Sequence, residues 1–283
     1  MKTITPEQLT PELAAQGVAV VGMSNADYHA YPAYSKSGLD LIARSPAHYQ
    51  YATARDSTRA MEIGTAIHCA LLEPERFANE YMLLRDVTDR RASAYREAVK
   101  VYGSELVLSG PEADKVVAMQ ETALARYPFL RSPADTELSL FAKCPRTGLQ
   151  LKSRLDWHQD GHIIDLKKTR DVRPDELAKS ITNYRYHVQD AFYRYVYSLV
   201  AGEPAKSFRF LFVEEESPHA LCLAPLDSLA REIGSHRMWQ DLKTVVQCES
   251  ANDWPMPDQP EELTVTNWCV SEYEDELELE IEE

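Results

Sequence analysis

The spacing of apolar residues predicts a chain that alternates between helix and strand, with its best strands gathered near the middle. From Arg59 to Leu72 (RAMEIGTAIHCALL) apolar residues recur at helical spacing until Pro74 halts the run. Residues 90–102 and 111–127 carry the same period, with Pro111 at a helix start and the apolar strand SELVLS between them. YMLLRD reads as a further strand. Ser35 or Ser37 caps a short helix over Gly38–Arg44, and Pro46 sits early in a second. Residues 1–27 read as an N-terminal lead-in, a short helix and turn that runs into the apolar GVAVVGM.

The period changes to two over Thr136–Cys144, Leu149–Gln159 and His162–Lys168, and the turn signals PRTG and DG divide them. That is a three-stranded meander. Helices at Pro174–Ile181 and Tyr186–Ala201, strands SFRFLFVEE and HALCLAPL, and a helix from about Asp227 to Val246 complete the pattern. This order predicts an α/β or α+β domain over residues 1–246, a mixed central β-sheet flanked by helices. Residues 247–283 read as a Pro-rich, acidic, partly disordered C-terminal tail.

Charge first argues against a nucleic-acid partner and then withdraws the objection. The 30 Lys and Arg against 45 Asp and Glu give a net charge of −15. No base follows Lys243, however, whereas 13 acids do, so residues 1–243 hold 30 bases against 32 acids. A body so near neutrality has room for a local basic channel. No apolar run approaches a membrane span and the N-terminus lacks the apolar stretch of a signal peptide, so no membrane contact and a cytoplasmic location are expected. Cys69, Cys144, Cys222, Cys248 and Cys269 form no CxxC pair, which fits a reducing compartment and disfavours a disulfide framework, a zinc ribbon or an iron–sulfur cluster.

The candidate chemistry lies in LKSRLDWHQDGHIIDLKKTR. With Asp160-Gly161 as a two-residue turn, Gln159 pairs with His162, Asp156 opposes Asp165, and Arg154 opposes Lys167. Like charges set directly opposite destabilise a sheet, and a bound cation would remove the repulsion. Oxygen ligands at that spacing suit Mg²⁺ or Mn²⁺. If PRTG is a four-residue loop, Cys144 pairs with Leu149 and Glu137 faces Asp156, so that three acids from three adjacent strands converge. Alternation assigns Leu155, Trp157, Ile164 and Leu166 to the other, buried face. A solvated surface hairpin is the competing reading, and Ile163 beside Asp165 favours a covered cleft.

Three further patterns bear on this cleft. Ala60, Gly64 and His68 fall four apart on one helix face, and a mid-helix glycine predicts close approach to the sheet, bringing His68 to the carboxylates; a satisfied helix histidine is the alternative. Gln189, Tyr193 and Tyr197 share a face, either as a packing stripe or with Gln189 and Tyr193 bonding phosphate. KKTRDVR sets Lys168, Arg170 and Arg173 at the exit of the acidic strand, as a polyanionic substrate requires, or as a solvated loop.

Taken together, YSKSGLDLIARSPAHY, GTAIHCALLEPERF, the Glu137 strand, RLDW followed by IIDLKKT, and YRYHVQDAFY resemble the PD-(D/E)xK nuclease superfamily, and within it the nuclease domain of exodeoxyribonuclease VIII. The resemblance spans about residues 28–212. It implies a metal-dependent 5′→3′ exonuclease on double-stranded DNA ends that leaves 3′ overhangs. The implied catalytic set is His68, Glu137, Asp156, Asp165 and Lys167. Mg²⁺, with Mn²⁺ able to substitute, would be held by His68, Asp156, Asp165 and the Leu166 carbonyl, and no nucleotide cofactor is implied. Gln189, Tyr193, Arg154, Lys168, Arg170 and Arg173 would contact DNA. A single-strand annealing protein and a ring-shaped homo-oligomer are the implied partners. An endonuclease on the same scaffold and a catalytically silent DNA-end binder stay open, and the acidic tail is outside the family pattern.

Overall fold

The structure is a computed structural model that describes residues 1–53, 57–260, 262–265, 268–271 and 273–274. In chain order its strands are β1 (Thr3–Ile4), β2 (Val18–Val20), β3 (Met82–Leu84), β4 (Val107–Ser109), β5 (Asp135–Lys143), β6 (Gln150–Gln159), β7 (His162–Thr169), β8 (Ser207–Glu214) and β9 (Leu221–Ala224). Its helices are α1 (Pro11–Gln16), α2 (Asn25–Ala30), α3 (Lys36–Arg44), α4 (Pro46–Gln50), α5 (Arg59–Leu72), α6 (Pro74–Glu80), α7 (Ser93–Tyr102), α8 (Gly110–Arg126), α9 (Pro174–Asn183), α10 (Tyr186–Ala201) and α11 (Ser228–Ala251). Among the described residues seven strands form one sheet in the order β1-β2-β5-β6-β7-β8-β9, and β3 pairs with β4 apart from it. The sheet is mixed: β1–β2 and β7–β8 are parallel, and its other pairs are antiparallel.

The N-terminal lead-in is more than helix and turn. Val18–Val20 pairs with β5, and Thr3–Ile4 pairs with β2, so the lead-in extends the sheet. All three residues of β2 are buried, which suits a run of apolar, mostly β-branched side chains covered on both faces.

Two helical layers cover the sheet. Leu39 of α3, Phe192 of α10 and Leu242 of α11 pack with Phe208, Phe210 and Phe212 on one side. On the other, Ile67 of α5 and Met119 of α8 pack with Ile164, Leu166 and Leu211. Leu155 belongs to the first core and Trp157 to the second, so β6 changes face around Asp156 instead of keeping its apolar residues together as alternation predicts.

The meander turns as its sequence signals. Asp160 and Gly161 both take positive φ, 49° and 82°, the backbone of the tight hairpin that Asp-Gly favours. β5 and β6 pair Leu138 with Leu155 and Thr136 with Trp157, which sets Glu137 across from Asp156. Glu137 itself sits at φ 50°, uncommon for a residue with a side chain. β6 and β7 start in the expected register, Gln159 with His162 through Trp157 with Ile164, and then part. Each keeps a longer ladder on its other side, β6 with β5 and β7 with β8. The Arg154–Lys167 pairing expected across this hairpin therefore does not form.

The packed domain runs past residue 246. α11 continues to Ala251, the Tyr34 hydroxyl donates to Glu249 at 2.6 Å, and Trp254 stacks on Tyr49 with ring centroids 5.7 Å apart. Farther on, residues 268–271 and 273–274 are helical, and the rest of the expected disordered stretch, residues 272 and 275–283, lies outside the described residues. No helix among the described residues is long and apolar enough to cross a membrane.

Candidate active site

The parting of β6 from β7 makes the site. Past Ile164 the backbone of β7 has lost β6 as a ladder partner, and a buried N–H needs an acceptor. The Asp156 carboxylate supplies it, accepting the Leu166 N–H at 2.7 Å. Into the same opening α5 projects His68, whose Nδ1 lies 3.5 Å from Asp156 Oδ2 and 4.0 Å from Glu137 Oε1. One ligand atom from each of His68, Glu137 and Asp156 falls within 4.8 Å of the others.

Asp165 sits differently from the expectation. On β7 it alternates with Ile164 and Leu166, which pack toward α5 and α8, so it points to the α10 side. There it is 2% exposed, pairs with Lys167 and accepts from the Gln189 side-chain amide. The groups close enough to share one ion are thus His68, Glu137 and Asp156, and Asp165 lies outside that cluster. Gln189 meets Asp165 instead of standing free for DNA. The Tyr193 hydroxyl is held well above its ordinary pKa by burial, then by Tyr28 and by Asp165, Asp156 and Glu137, which sets it beside the same acids.

Burial dominates the electrostatics. It lowers the His68 pKa to about 4, helped by the Lys167 charge, while Asp165 and the Leu166 backbone pull the other way. The ring is therefore neutral near pH 7, with a lone pair to offer. Burial and the facing Asp156 raise Glu137 to about 8, against relief from Arg154. Burial raises Asp156 too, with Lys167 and the Leu166 N–H opposing, and lifts Asp165 to about 6 against the pull of Lys167. Burial works against the Lys167 ammonium, but Asp165 and Asp156 outweigh it and its pKa is raised. One neutral imidazole and two carboxylates make a donor set that fits a divalent cation.

The basic residues divide. Arg154 is buried and turns to the start of α2, donating to Ser139 Oγ at 3.0 Å and to the carbonyls of Met23 at 2.8 Å and Ser24 at 3.2 Å. Its remaining reach ends 3.9 Å from Glu137, so it braces that acid and is not free for DNA. Lys168 pairs with Glu215 at 2.7 Å, and Arg173 pairs with Asp171 at 2.8 Å. Arg170 is exposed. The Gly64 expectation also changes: a Cβ there would meet nothing within 4 Å, so the glycine leaves open space beside His68, and α5 approaches the sheet through Ile63, Ala66 and Ile67. Tyr186, whose ring lies 5.1 Å from Lys167 Nζ, was missed because the stripe was counted from Gln189; it lies one helical step earlier in YRYHVQ.

A mixed sheet between helical layers, with acids on three neighbouring strands, is the fold of the PD-(D/E)xK nuclease superfamily. Residues 35–263 match the family described as "PDDEXK-like domain of unknown function (DUF3799)", and the chain belongs to that family. A search of the curated proteins finds no match. Among solved structures, one from Eubacterium rectale with a provisional exonuclease name is similar at 11% identity and a TM-score of 0.59, covering 89% of this chain and 93% of that one. A phage-related exonuclease from Haemophilus somnus 129PT is similar at 13% identity with a TM-score of 0.31, covering 57% of this chain and 85% of that one.

Proposed function

We propose that the protein is a metal-dependent exonuclease that digests double-stranded DNA ends 5′→3′ and leaves 3′ overhangs for a single-strand annealing partner, acting as a ring-shaped homo-oligomer. The observation that carries the nuclease reading is the convergence of His68, Glu137 and Asp156 within 4.8 Å, beside the Asp165–Lys167 pair. Polarity, annealing partner and ring rest on the resemblance to exodeoxyribonuclease VIII.

His68, Glu137 and Asp156 would hold the divalent cation, with the Leu166 carbonyl and a reoriented Asp165 as further ligands. A bound cation supplies Lewis-acid stabilisation of the phosphate and lowers the pKa of an attacking water. Lys167, kept protonated by Asp165 and Asp156, stabilises charge that develops on the phosphate instead of serving as the base. Gln189 fixes the Asp165 carboxylate, and Tyr193 borders the acids where the scissile nucleotide would lie.

End-labelled linear duplex DNA with either the 5′ or the 3′ end blocked tests the reading, with Mg²⁺ and with EDTA. Blocking 5′ ends should stop digestion and blocking 3′ ends should not. Cutting of covalently closed circles would replace the exonuclease with an endonuclease, and no metal-dependent cutting of any DNA would leave a silent end-binding protein.

A further inference from the structure

The junction between α9 and α10 carries an aromatic arrangement that the proposed chemistry does not use. Tyr184 stacks on Tyr186 with ring centroids 5.6 Å apart and an interplanar angle of 25°, yet Tyr184 remains 62% exposed. Tyr186 is the inner partner: it packs on Phe210 and Phe212, and Lys167 Nζ lies 5.1 Å from its ring. The stack therefore starts at the catalytic lysine and ends in solvent.

The arrangement is held in place. Arg185, between the two tyrosines, takes φ 53°, and this left-handed residue sets the two rings on the same side of the chain. A non-glycine residue there is strained and persists only when its surroundings over-determine it. Here they do: the Arg185 guanidinium donates to the Leu39 carbonyl at 3.1 Å, to Asp40 at 3.1 Å and to Asp241 at 2.5 Å. Lys36 Nζ, paired with Asp40 at 2.8 Å, donates to the Tyr184 carbonyl at 2.6 Å. So much anchoring of a ring that is itself mostly in water preorganises a surface for something else to cover.

Tyr184 and Tyr186 also line a cleft of about 450 Å³ with Lys168, Arg170 and Glu215. Lys168 neutralises Glu215, whereas Arg170 is exposed and makes no ion pair among the described residues. A flat aromatic face, a nucleotide-sized cleft and an unpaired cation are the parts of a single-strand stacking subsite, since every base has a π-face and every linkage a phosphate.

We propose that the exposed face of Tyr184 is a nucleobase-stacking subsite that seats one nucleotide of the DNA end at the outer end of the stack, with Tyr186 between it and Lys167 and with Arg170 as its phosphate contact. This rests on the DNA-nuclease reading and adds the substrate contact that aligns the strand. Stacking makes the subsite indifferent to base identity, as an enzyme that digests arbitrary sequence needs.

The test is a binding cycle on the full chain, with Ca²⁺ in place of Mg²⁺ to suppress cutting and an internally labelled duplex as probe. Tyr184→Ala should weaken binding of the intact duplex by about tenfold, and Tyr184→Phe by less than about twofold. Abasic residues are then walked through the first few nucleotides of each strand. At one position the wild type should lose about tenfold on abasic substitution and Tyr184→Ala should lose nothing more, because the ring has no base to stack on in either case. A structural role for Tyr184 would not produce that non-additivity. Wild-type cutting of DNA with no such position, or Tyr184→Ala binding as tightly as wild type, overturns the subsite alone. A wild type that neither binds nor cuts duplex DNA overturns the nuclease reading and the subsite with it.

Discussion

Asp156 accepts the Leu166 backbone N–H at 2.7 Å, so one carboxylate both closes the gap where β6 and β7 part and faces His68 across 3.5 Å. The fold cannot lose this acceptor without exposing the break in its own ladder, and the cluster with His68 and Glu137 cannot lose it without losing a candidate ligand. Structure and chemistry are joined at this side chain.

Metal binding should therefore stabilise the protein. At a hundred times its Kd, Mn²⁺ should add about 2.7 kcal/mol by mass action. Asp156→Asn retains an oxygen for the Leu166 N–H while removing the charge opposite Glu137, so its metal-free Tm should equal or exceed that of wild type and its Mn²⁺ shift should vanish. Scanning calorimetry with and without metal measures both.

Asp165→Asn should lower the hydrolysis rate by at least about a thousandfold, roughly 4 kcal/mol of barrier. The asparagine keeps one oxygen for Lys167 and turns its amide N–H to Gln189, whose own amide can flip to accept it, so the fold should survive, as circular dichroism would report. A variant that keeps more than about a tenth of the rate contradicts a catalytic Asp165.

The pH dependence of stability reports on Glu137 together with the Asp156 that faces it. In the fold its pKa is about 8 against an ordinary 4.5, so the folded protein holds a proton that the unfolded chain has released. The stabilisation is complete below pH 4.5 and is lost as pH rises through about 8. His68 runs the opposite way, held at about 4 against 6.5, so its contribution is lost as pH falls through that lower window. Between pH 6.5 and 8 Glu137 acts without His68. Metal-free wild type should lose stability there with a slope approaching about 1.4 kcal/mol per pH unit, and Glu137→Gln should flatten it. Urea unfolding in EDTA at stepped pH reads the slope.

Gly64→Ala should raise stability by about 0.5–1 kcal/mol, since the position is helical and a Cβ there meets nothing within 4 Å. The same methyl fills the open space beside His68, so DNA hydrolysis should fall while Tm rises. Unchanged activity would show that substrate does not use the space.

Local rules served best where one element decides the outcome. Asp160-Gly161 specifies its turn through two positive φ angles, and that turn carries the register into Trp157 and Ile164. The helix over Arg59–Leu72 appears with the predicted bounds because Pro74 stops it. The pairing of Glu137 with Asp156 follows from the PRTG loop length and holds on both flanks of the kink.

Those rules failed where a second element competes. A hairpin read alone continues its ladder, but β7 also has β8 and β6 also has β5, and the two pull the hairpin open at the acids. The basic track looked free because Glu215, which holds Lys168, lies on the far side of α9 and α10 in sequence. Arg154 looked like a DNA contact because its partners, Met23 and Ser24, come from the lead-in.

By itself the sequence determined the central meander and most of the helices, the hairpin turn, the acids on three neighbouring strands and the histidine four residues beyond Gly64, because periodicity and turn chemistry act over a few residues. Only the tertiary structure decided which oxygens meet. The strand split turns Asp156 toward His68, β7 pairing with β8 turns Asp165 toward Gln189 and Lys167, and Glu137 completes the cluster of ligands. Such choices depend on competing ladders and on partners distant along the chain, and no local spacing encodes that competition.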